Sequence, residues 1–206
     1  KQSEDTFSQI LEASRDEYET DMASVAASLR QQMTQRAETV VVNYAVADED
    51  AKKIADGIIQ EAMKHTGVSA EGDYLRWQYQ KYAYTCEGYK NTATGMCFYT
   101  ITYTISYYTT ASQEMELDGK LAEIESALGL AGKSWQDQLE TIYDYICSNV
   151  SYDYEGLDDS SDLLKYTAYG AAMDHSAVCQ GISLLFYRMA LDCGIDARIV
   201  SGYSDT

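Results

Sequence analysis

The segment Ala168-Tyr169-Gly170-Ala171-Ala172-Met173-Asp174-His175-Ser176-Ala177-Val178-Cys179-Gln180-Gly181 decides how this chain is read. A loop leads into a helix predicted from about Ala177 to Cys193, with Gly194 as its stop. Cys179 therefore falls in the first helical turn. Unpaired backbone N–H groups and the positive end of the helix dipole favour a thiolate there. The same N–H groups can bind the oxyanion that forms when a thiolate attacks an acyl carbon. Gly181 next door is read as removing a side chain that would block approach. The competing reading is a buried cysteine acting as a small hydrophobe.

Working outward, Ser134 reads as the N-cap of a preceding helix, with Asp137 three residues on. Trp135, Leu139, Ile142, Tyr143 and Ile146 form its predicted buried face. Leu117, Leu121, Ile124 and Leu128 define an earlier helix that ends near Gly129 and Gly132. Between the Ser134 helix and the Cys179 segment lies an acidic loop with Asp153, Glu155, Asp158, Asp159 and Asp162. Its carboxylates suggest calcium, but their spacing fits no EF-hand, and a solvated loop is the favoured reading. Beyond Gly194, Ala197–Ser201 reads as a strand.

Nearer the start, Phe7, Leu11, Ser14, Tyr18, Met22, Val25, Leu29 and Met33 recur at steps of three and four, predicting one long amphipathic helix. Thr39–Val46 is rich in β-branched residues and reads as a strand. Asp48 is placed to cap the next helix, with Ile54, Ala55, Ile58, Ile59 and Ala62 as its buried stripe. Two strands follow, about Tyr74–Glu87 and Met96–Thr109, joined as an antiparallel hairpin. In the second, Cys97, Tyr99, Ile101, Tyr103, Ile105 and Tyr107 share one face. If the turn centres on Asn91–Thr92, Cys86 and Cys97 lie opposite one another. Two readings then stand: a cross-strand disulfide, or two small buried hydrophobes. Cys147 and Cys193 each end an apolar helical face.

The 206 residues carry 15 basic and 33 acidic side chains, a net charge of −18, which disfavours nucleic acid. With 46% hydrophobic residues the chain can bury a core and is not intrinsically disordered. No apolar run approaches the roughly 18 residues of a membrane span. None of the five cysteines forms a C-x-x-C pair, which argues against a zinc ribbon or a thioredoxin-type motif. Proline is absent and 19 residues are tyrosine, so much of the aromatic core carries a hydroxyl that needs a partner. With no proline or glycine-rich linker, the soft boundary falls near Gly132–Lys133. It separates an N-terminal α+β region, 1–133, from the Cys-bearing part, 134–206.

The segment 168–181 resembles the nucleophile segment of the bacterial transglutaminase-like superfamily, which typically shows A-Y-G-A-L-x-x-G-K-A-V-C-Q-G. Its lead-in, Ile142-Tyr143-Asp144-Tyr145-Ile146 and then Val150-Ser151-Tyr152-Asp153-Tyr154, is similar to the family's preceding helix and loop. Leu191-Asp192-Cys193-Gly194-Ile195 through Val200-Ser201-Gly202 resembles its L-x-x-x-G-I-x-x-x-x-V-x-G stretch. The resemblance implies an α+β chain: a helical and β-hairpin N-terminal region, then the front, helical, Cys-bearing part of a papain-like domain. It implies that Cys179 is the nucleophile of a Cys-His-Asp triad catalysing acyl transfer or peptide hydrolysis through a thioester. Tyr169, Gln180 and His175 are the residues expected to line the site.

The family's histidine and aspartate follow the V-x-G strand, and the sequence in hand ends at Thr206. His65 closes a predicted helix, and His175 sits four residues before Cys179, where the family pattern has glycine. Neither is placed to act as the family's base. The expectation is an incomplete catalytic unit, inactive alone, completed by a downstream segment of the same protein. The implied partner is a protein or peptide substrate, with no nucleic acid, no cofactor and no metal. A first residue that is lysine suggests a trimmed start, and an extracellular or cell-surface location. The alternative is a non-catalytic surface or binding module that keeps the fold.

Overall fold

A computed structural model describes residues 18–47 and 49–202. The chain divides into two compact units. One comprises the described residues through Ala62 together with Lys81–Ile105, and the other Met63–Gln80 with the described residues from Ser106 onward. This grouping differs from the boundary at 133/134, because the helix before that point packs with the Cys-bearing elements.

In the first unit, helix α1 (Met22–Thr34) buries Val25, Ala26, Leu29 and Met33. Its cap is Asp21, whose carboxylate accepts from the N–H groups of Ala23 and Ser24. The predicted long helix thus starts later than its periodicity suggests. Glu19 instead bonds to strand β1 (Thr39–Ala47), donating to the Asn43 carbonyl and accepting from the Ala45 N–H. Phe7, Leu11 and Ser14 lie outside the described residues, as does Asp48. Helix α2 (Ala51–Ala62) takes its cap from Asp50, which accepts from the N–H groups of Lys52 and Lys53. Its buried residues are Ile54, Ala55, Ile58, Ile59 and Ala62, as the periodicity predicts. Each large aliphatic side chain fully buried there contributes about 1.5–3 kcal/mol.

Short helix α3 (Asp73–Gln78) precedes strands β2 (Tyr79–Lys90) and β3 (Met96–Tyr107). The predicted strand from Tyr74 therefore begins five residues late. Tyr74 and Leu75 are adjacent and both buried, and Gln78 is buried with them, a helical spacing that strand alternation cannot produce. The sheet has the order β1-β3-β2, with Val42 opposite Ile101 and Val40 opposite Tyr103. The predicted β3 face is buried at Cys97, Ile101, Tyr103 and Ile105, and the Tyr103 hydroxyl donates to the Ala55 carbonyl at 2.7 Å.

No disulfide joins Cys86 to Cys97; both thiols are free. The Asn91 N–H donates to the Met96 carbonyl, and the Asn91 side chain accepts from the N–H groups of Ala93 and Thr94. The hairpin loop is thus longer than a turn centred on Asn91–Thr92. Ring contacts of Tyr89 with Phe98 and of Tyr84 with Tyr103 set the register. In that register Cys97 is level with Lys90 and Cys86 with Ile101, too far apart along the strands to bond.

In the second unit, helix α4 (Ala111–Leu128) opens with a capping box between Thr110 and Gln113 and stops at Gly129, whose backbone is left-handed. Helix α5 (Trp135–Asn149) is capped by Ser134, as read from the sequence. It buries Ile142 and Ile146, but Trp135 and Tyr143 are 59% and 60% exposed. Cys147, four residues after Tyr143, is exposed with it. Strands β4 (Ser151–Tyr152) and β5 (Ser176–Ala177) form a two-residue parallel ladder. Helix α6 (Cys179–Asp192) follows.

Leu117, Leu121 and Ile124 of α4, Ile142 and Ile146 of α5, and Leu184, Leu185 and Met189 of α6 form one buried cluster with Tyr74. Buried Arg188 crosses it. Its guanidinium lies 4.7 Å from the Tyr74 ring centroid and donates to Asp118 at 2.5 Å. Residues 197–201 form no strand pairing; the Ile199 N–H donates instead to the Asp73 carboxylate. Among the described residues no helix is long and apolar enough to cross a membrane.

Candidate active site

The polypeptide approaches Cys179 through three local devices. The first is a π-helical turn, Gly170–Asp174. A Cβ at Gly170 would collide with the Leu164 carbonyl, so only glycine lets the turn close there. The second is a left-handed residue, His175, with φ 57°, a conformation uncommon for a side chain bearing a Cβ. The third is the β4–β5 ladder, in which the Ser151 N–H donates to the His175 carbonyl and the Asp153 N–H to that of Ala177. The Val178 N–H then donates to the Lys165 carbonyl at 3.0 Å, and α6 begins.

Cys179 is the first residue of α6, and its side chain is exposed. It therefore sits where free backbone N–H groups point out of the helix start. Gly181 serves a different purpose from that expected. A Cβ there would lie 2.7 Å from the carbonyl oxygens of both Lys165 and Thr167. The glycine lets the helix start press against that backbone; it does not clear a path for a reactant.

A groove of about 320 Å³ opens beside the thiol, lined by Trp77, Cys179, Gln180, Ser183, Leu184 and residues 199–202. Gln180 lies in it with its amide committed, since Nε2 donates to the carbonyls of Trp77 and Tyr166 at 3.0 and 3.1 Å. Those bonds tie the helix start to α3 and to the turn that ends at Tyr166. Trp77 was missed from the sequence because its segment reads as strand.

Tyr169 is not among the groove's lining residues. Its hydroxyl donates to Glu116 of α4 at 2.8 Å, and its ring packs on the buried cluster. His175 is exposed and has no hydrogen bond to Cys179; its contribution is its carbonyl, on β4. His65 bonds to Asp196 at 2.6 Å. Tyr152 comes near through the ladder, where it pairs with Ala177 two residues before Cys179, and burial together with the neighbouring Cys179 raises the pKa of its phenol. Its position in the Val150–Tyr154 lead-in was the only signal in the sequence.

The far wall of the groove is held by Asp73. Its carboxylate accepts from Arg198 Nε at 2.7 Å, from Arg198 Nη2 at 3.1 Å and from the Ile199 N–H at 2.9 Å. Burial alone would raise its pKa, but these bonds outweigh it and hold the carboxyl below its ordinary value.

Residues 126–206 match the family model of the transglutaminase-like superfamily. This segment is transglutaminase-like. It runs from the last turn of α4 through α5, the β4–β5 ladder and α6, and so contains the whole approach to Cys179. No curated protein matches the chain.

The acidic loop of the transglutaminase-like segment is organised by a side chain. The ammonium of Lys165, only 2% exposed, donates to the Gly156 carbonyl and, at 2.6 Å, to that of Asp159. The carboxylates of Asp153, Asp159 and Asp162 are turned to N–H groups of their own loop, at Gly156, Ser161 and Leu164. Among the described residues no group of three or more acidic, histidine or cysteine side chains is arranged to hold a metal ion.

Proposed function

We propose that Cys179 is the nucleophile of an acyl-transfer or amide-hydrolysing reaction on a protein or peptide substrate. The observation that carries this reading is the exposed thiol at the first residue of α6, opening on a groove walled by Trp77 and by residues of the transglutaminase-like segment. The thiolate attacks an amide carbonyl, an Sγ–C bond forms, and the carbonyl oxygen becomes an oxyanion beside the helix N–H groups. Collapse expels the amine, which takes up a proton, and leaves a thioester. An incoming amine or water then attacks that thioester and frees the thiol.

The groove suits an extended chain. Trp77, Leu184 and Ile199 offer apolar wall, while residues 199–202 run alongside outside any strand. On the family resemblance, the base that serves the thiol is expected after Gly202, outside the described residues. An exported protein acting on extracellular peptides fits the same reading.

The full-length protein tests it. Release of ammonia from glutamine-containing peptides, or incorporation of a fluorescent primary amine, is expected to depend on Cys179. Cys179→Ala should lower either rate by about 10³-fold or more. Turnover that survives this change overturns the assignment. Absence of any turnover favours a non-catalytic binding module that keeps the fold.

A further inference from the structure

We infer that the outer edge of strand β2 is an interface on which a second copy of this chain pairs antiparallel about Tyr84, joining two three-stranded sheets into one. The interface lies in the first unit and is independent of the role given to Cys179.

The edge follows from the pairing pattern. In the sheet order β1-β3-β2, strand β2 has β3 on one side and stands at the border of the sheet on the other. The Asn91 N–H donates to the Met96 carbonyl, and the ring contacts of Tyr89 with Phe98 and of Tyr84 with Tyr103 keep the same register. On β3 the Ile105 N–H donates to the Glu38 carbonyl, so odd-numbered residues of β3 bond towards β1 and even-numbered ones towards β2. The N–H and C=O groups of Ala83 and Thr85 are therefore turned to β3. Those of Tyr82, Tyr84 and Cys86 line the outer edge.

Such edges are commonly blunted by proline, by a bulge or by charge. Strand β2 is 12 residues long, the chain has no proline, and the register is unbroken from Tyr84 to Asn91. Charge is what remains, and here it selects a partner. Lys81–Lys90 carries two lysines and one glutamate, a net positive stretch in a chain of net charge −18. Two copies can approach along it without the repulsion of their acidic surfaces.

The stretch Lys81-Tyr82-Ala83-Tyr84-Thr85-Cys86-Glu87 is also self-complementary. Paired antiparallel about Tyr84, it sets Lys81 opposite the partner's Glu87, and Glu87 opposite the partner's Lys81. The outward groups of Tyr82 then meet those of Cys86, which is the alignment a hydrogen-bonded ladder needs. Sliding by one step of the ladder either way puts Lys81 opposite Thr85 or Tyr89 and loses both pairs. Lys81 and Glu87 are exposed on one face of the strand, and among the described residues neither has an ion-pair partner. Opposite charges placed directly across an antiparallel pair attract, and like charges repel.

Sedimentation velocity on the full chain, from micromolar to submillimolar concentration and with reductant present to keep the cysteines free, is expected to show a monomer–dimer equilibrium. Lys81→Glu and Glu87→Lys each set like charges opposite one another at both symmetric positions. Either change alone should weaken the dimer by about tenfold or more. The double variant restores opposite charges and should return the dissociation constant to within about twofold of the wild type. Both side chains are exposed, so the exchange leaves the fold as it is. Amide exchange read by NMR reports on the ladder itself. The N–H groups of Tyr82, Tyr84 and Cys86 should exchange more slowly as concentration rises, while those of Ala83 and Thr85 keep their rates. A monomer at every concentration overturns the proposal. So does a dimer indifferent to the single changes, a double variant as weak as the singles, or a dimer in which exchange at Tyr84 is unaltered.

Discussion

Asp73 and Arg198 are 125 positions apart in the chain and form a two-point bond, Nε to Oδ2 at 2.7 Å and Nη2 to Oδ1 at 3.1 Å. The carboxylate is buried and also accepts the Ile199 N–H, so one side chain of α3 stands in for the strand partner that residues 197–201 lack.

Asp73→Ala should therefore release this wall of the groove. The expected cost is about 1–3 kcal/mol, typical of removing the acceptor from a buried bonded set, read as a lower urea midpoint. Faster amide exchange at Ile199 and Val200 should accompany it. The carboxyl is held below its ordinary value, so the wild-type contribution is present at neutral pH and is lost only as pH falls through the folded pKa, below the ordinary carboxylate range. An unchanged midpoint in Asp73→Ala at pH 7 would contradict the role given to this residue.

Gly181→Ala should destabilise α6 at its start. The contacts a methyl would make are with backbone carbonyls of Lys165 and Thr167, which cannot swing aside as a side-chain tip can. Overpacking of this kind costs about 1–3 kcal/mol. Loss of Cys179-dependent turnover alongside a lower melting temperature is the expected pair of results. A melting temperature equal to the wild type would show that the helix start has room to spare.

Lys165→Met should loosen the acidic loop. The substitution keeps the apolar stem but removes the donor shared by the carbonyls of Gly156 and Asp159. Limited proteolysis by a glutamate-directed enzyme reads the effect at Glu155, where cleavage should run several-fold faster. Equal rates in the two proteins would mean that the loop is held by its own turns alone.

Glu125 makes stability depend on pH. Burial pushes its carboxyl up to about 7, the charge of Asp192 adds to this, and Arg188 opposes it. The folded state keeps this proton to near pH 7, whereas the unfolded chain releases it near 4.5. Between those values the unfolded state binds fewer protons, so stability falls as pH rises and levels off above the folded pKa. Urea midpoints across pH 5–8 should show that decline, and Glu125→Gln should remove most of it. A variant that keeps the wild-type slope would locate the dependence elsewhere.

Where a segment had a single hydrophobic face, the sequence was legible. The stripes of α2 and α4 and the alternation of β3 follow directly from residue spacing. It misled where aromatic residues carry both an apolar ring and a polar edge. Trp135 and Tyr143 look like core at helical spacing, yet they stand exposed on α5. Tyr74 looks like the start of a strand, yet it is buried in α3 with its hydroxyl on Glu114 at 2.9 Å.

The site shows the same division. The place of Cys179 at a helix start was readable, because a loop running into an apolar helix leaves a local signature. Trp77 in the groove and the pairing of Tyr152 with Ala177 were not, since they join segments 102 and 25 positions apart that no local pattern connects. The hairpin register was lost for a smaller reason: the side chain of Asn91 folds the loop back on itself and moves the turn past Thr92.

The carbonyls of Lys165 and Thr167 act on the start of α6 as a jig acts on a workpiece. The first receives the Val178 N–H, and both lie where only glycine fits at 181. The sulfur of Cys179 is thus registered against main-chain atoms, which every amino acid supplies alike. Side chains around it can change without moving it, so the chemistry proposed for Cys179 would keep its geometry while the groove changes its lining.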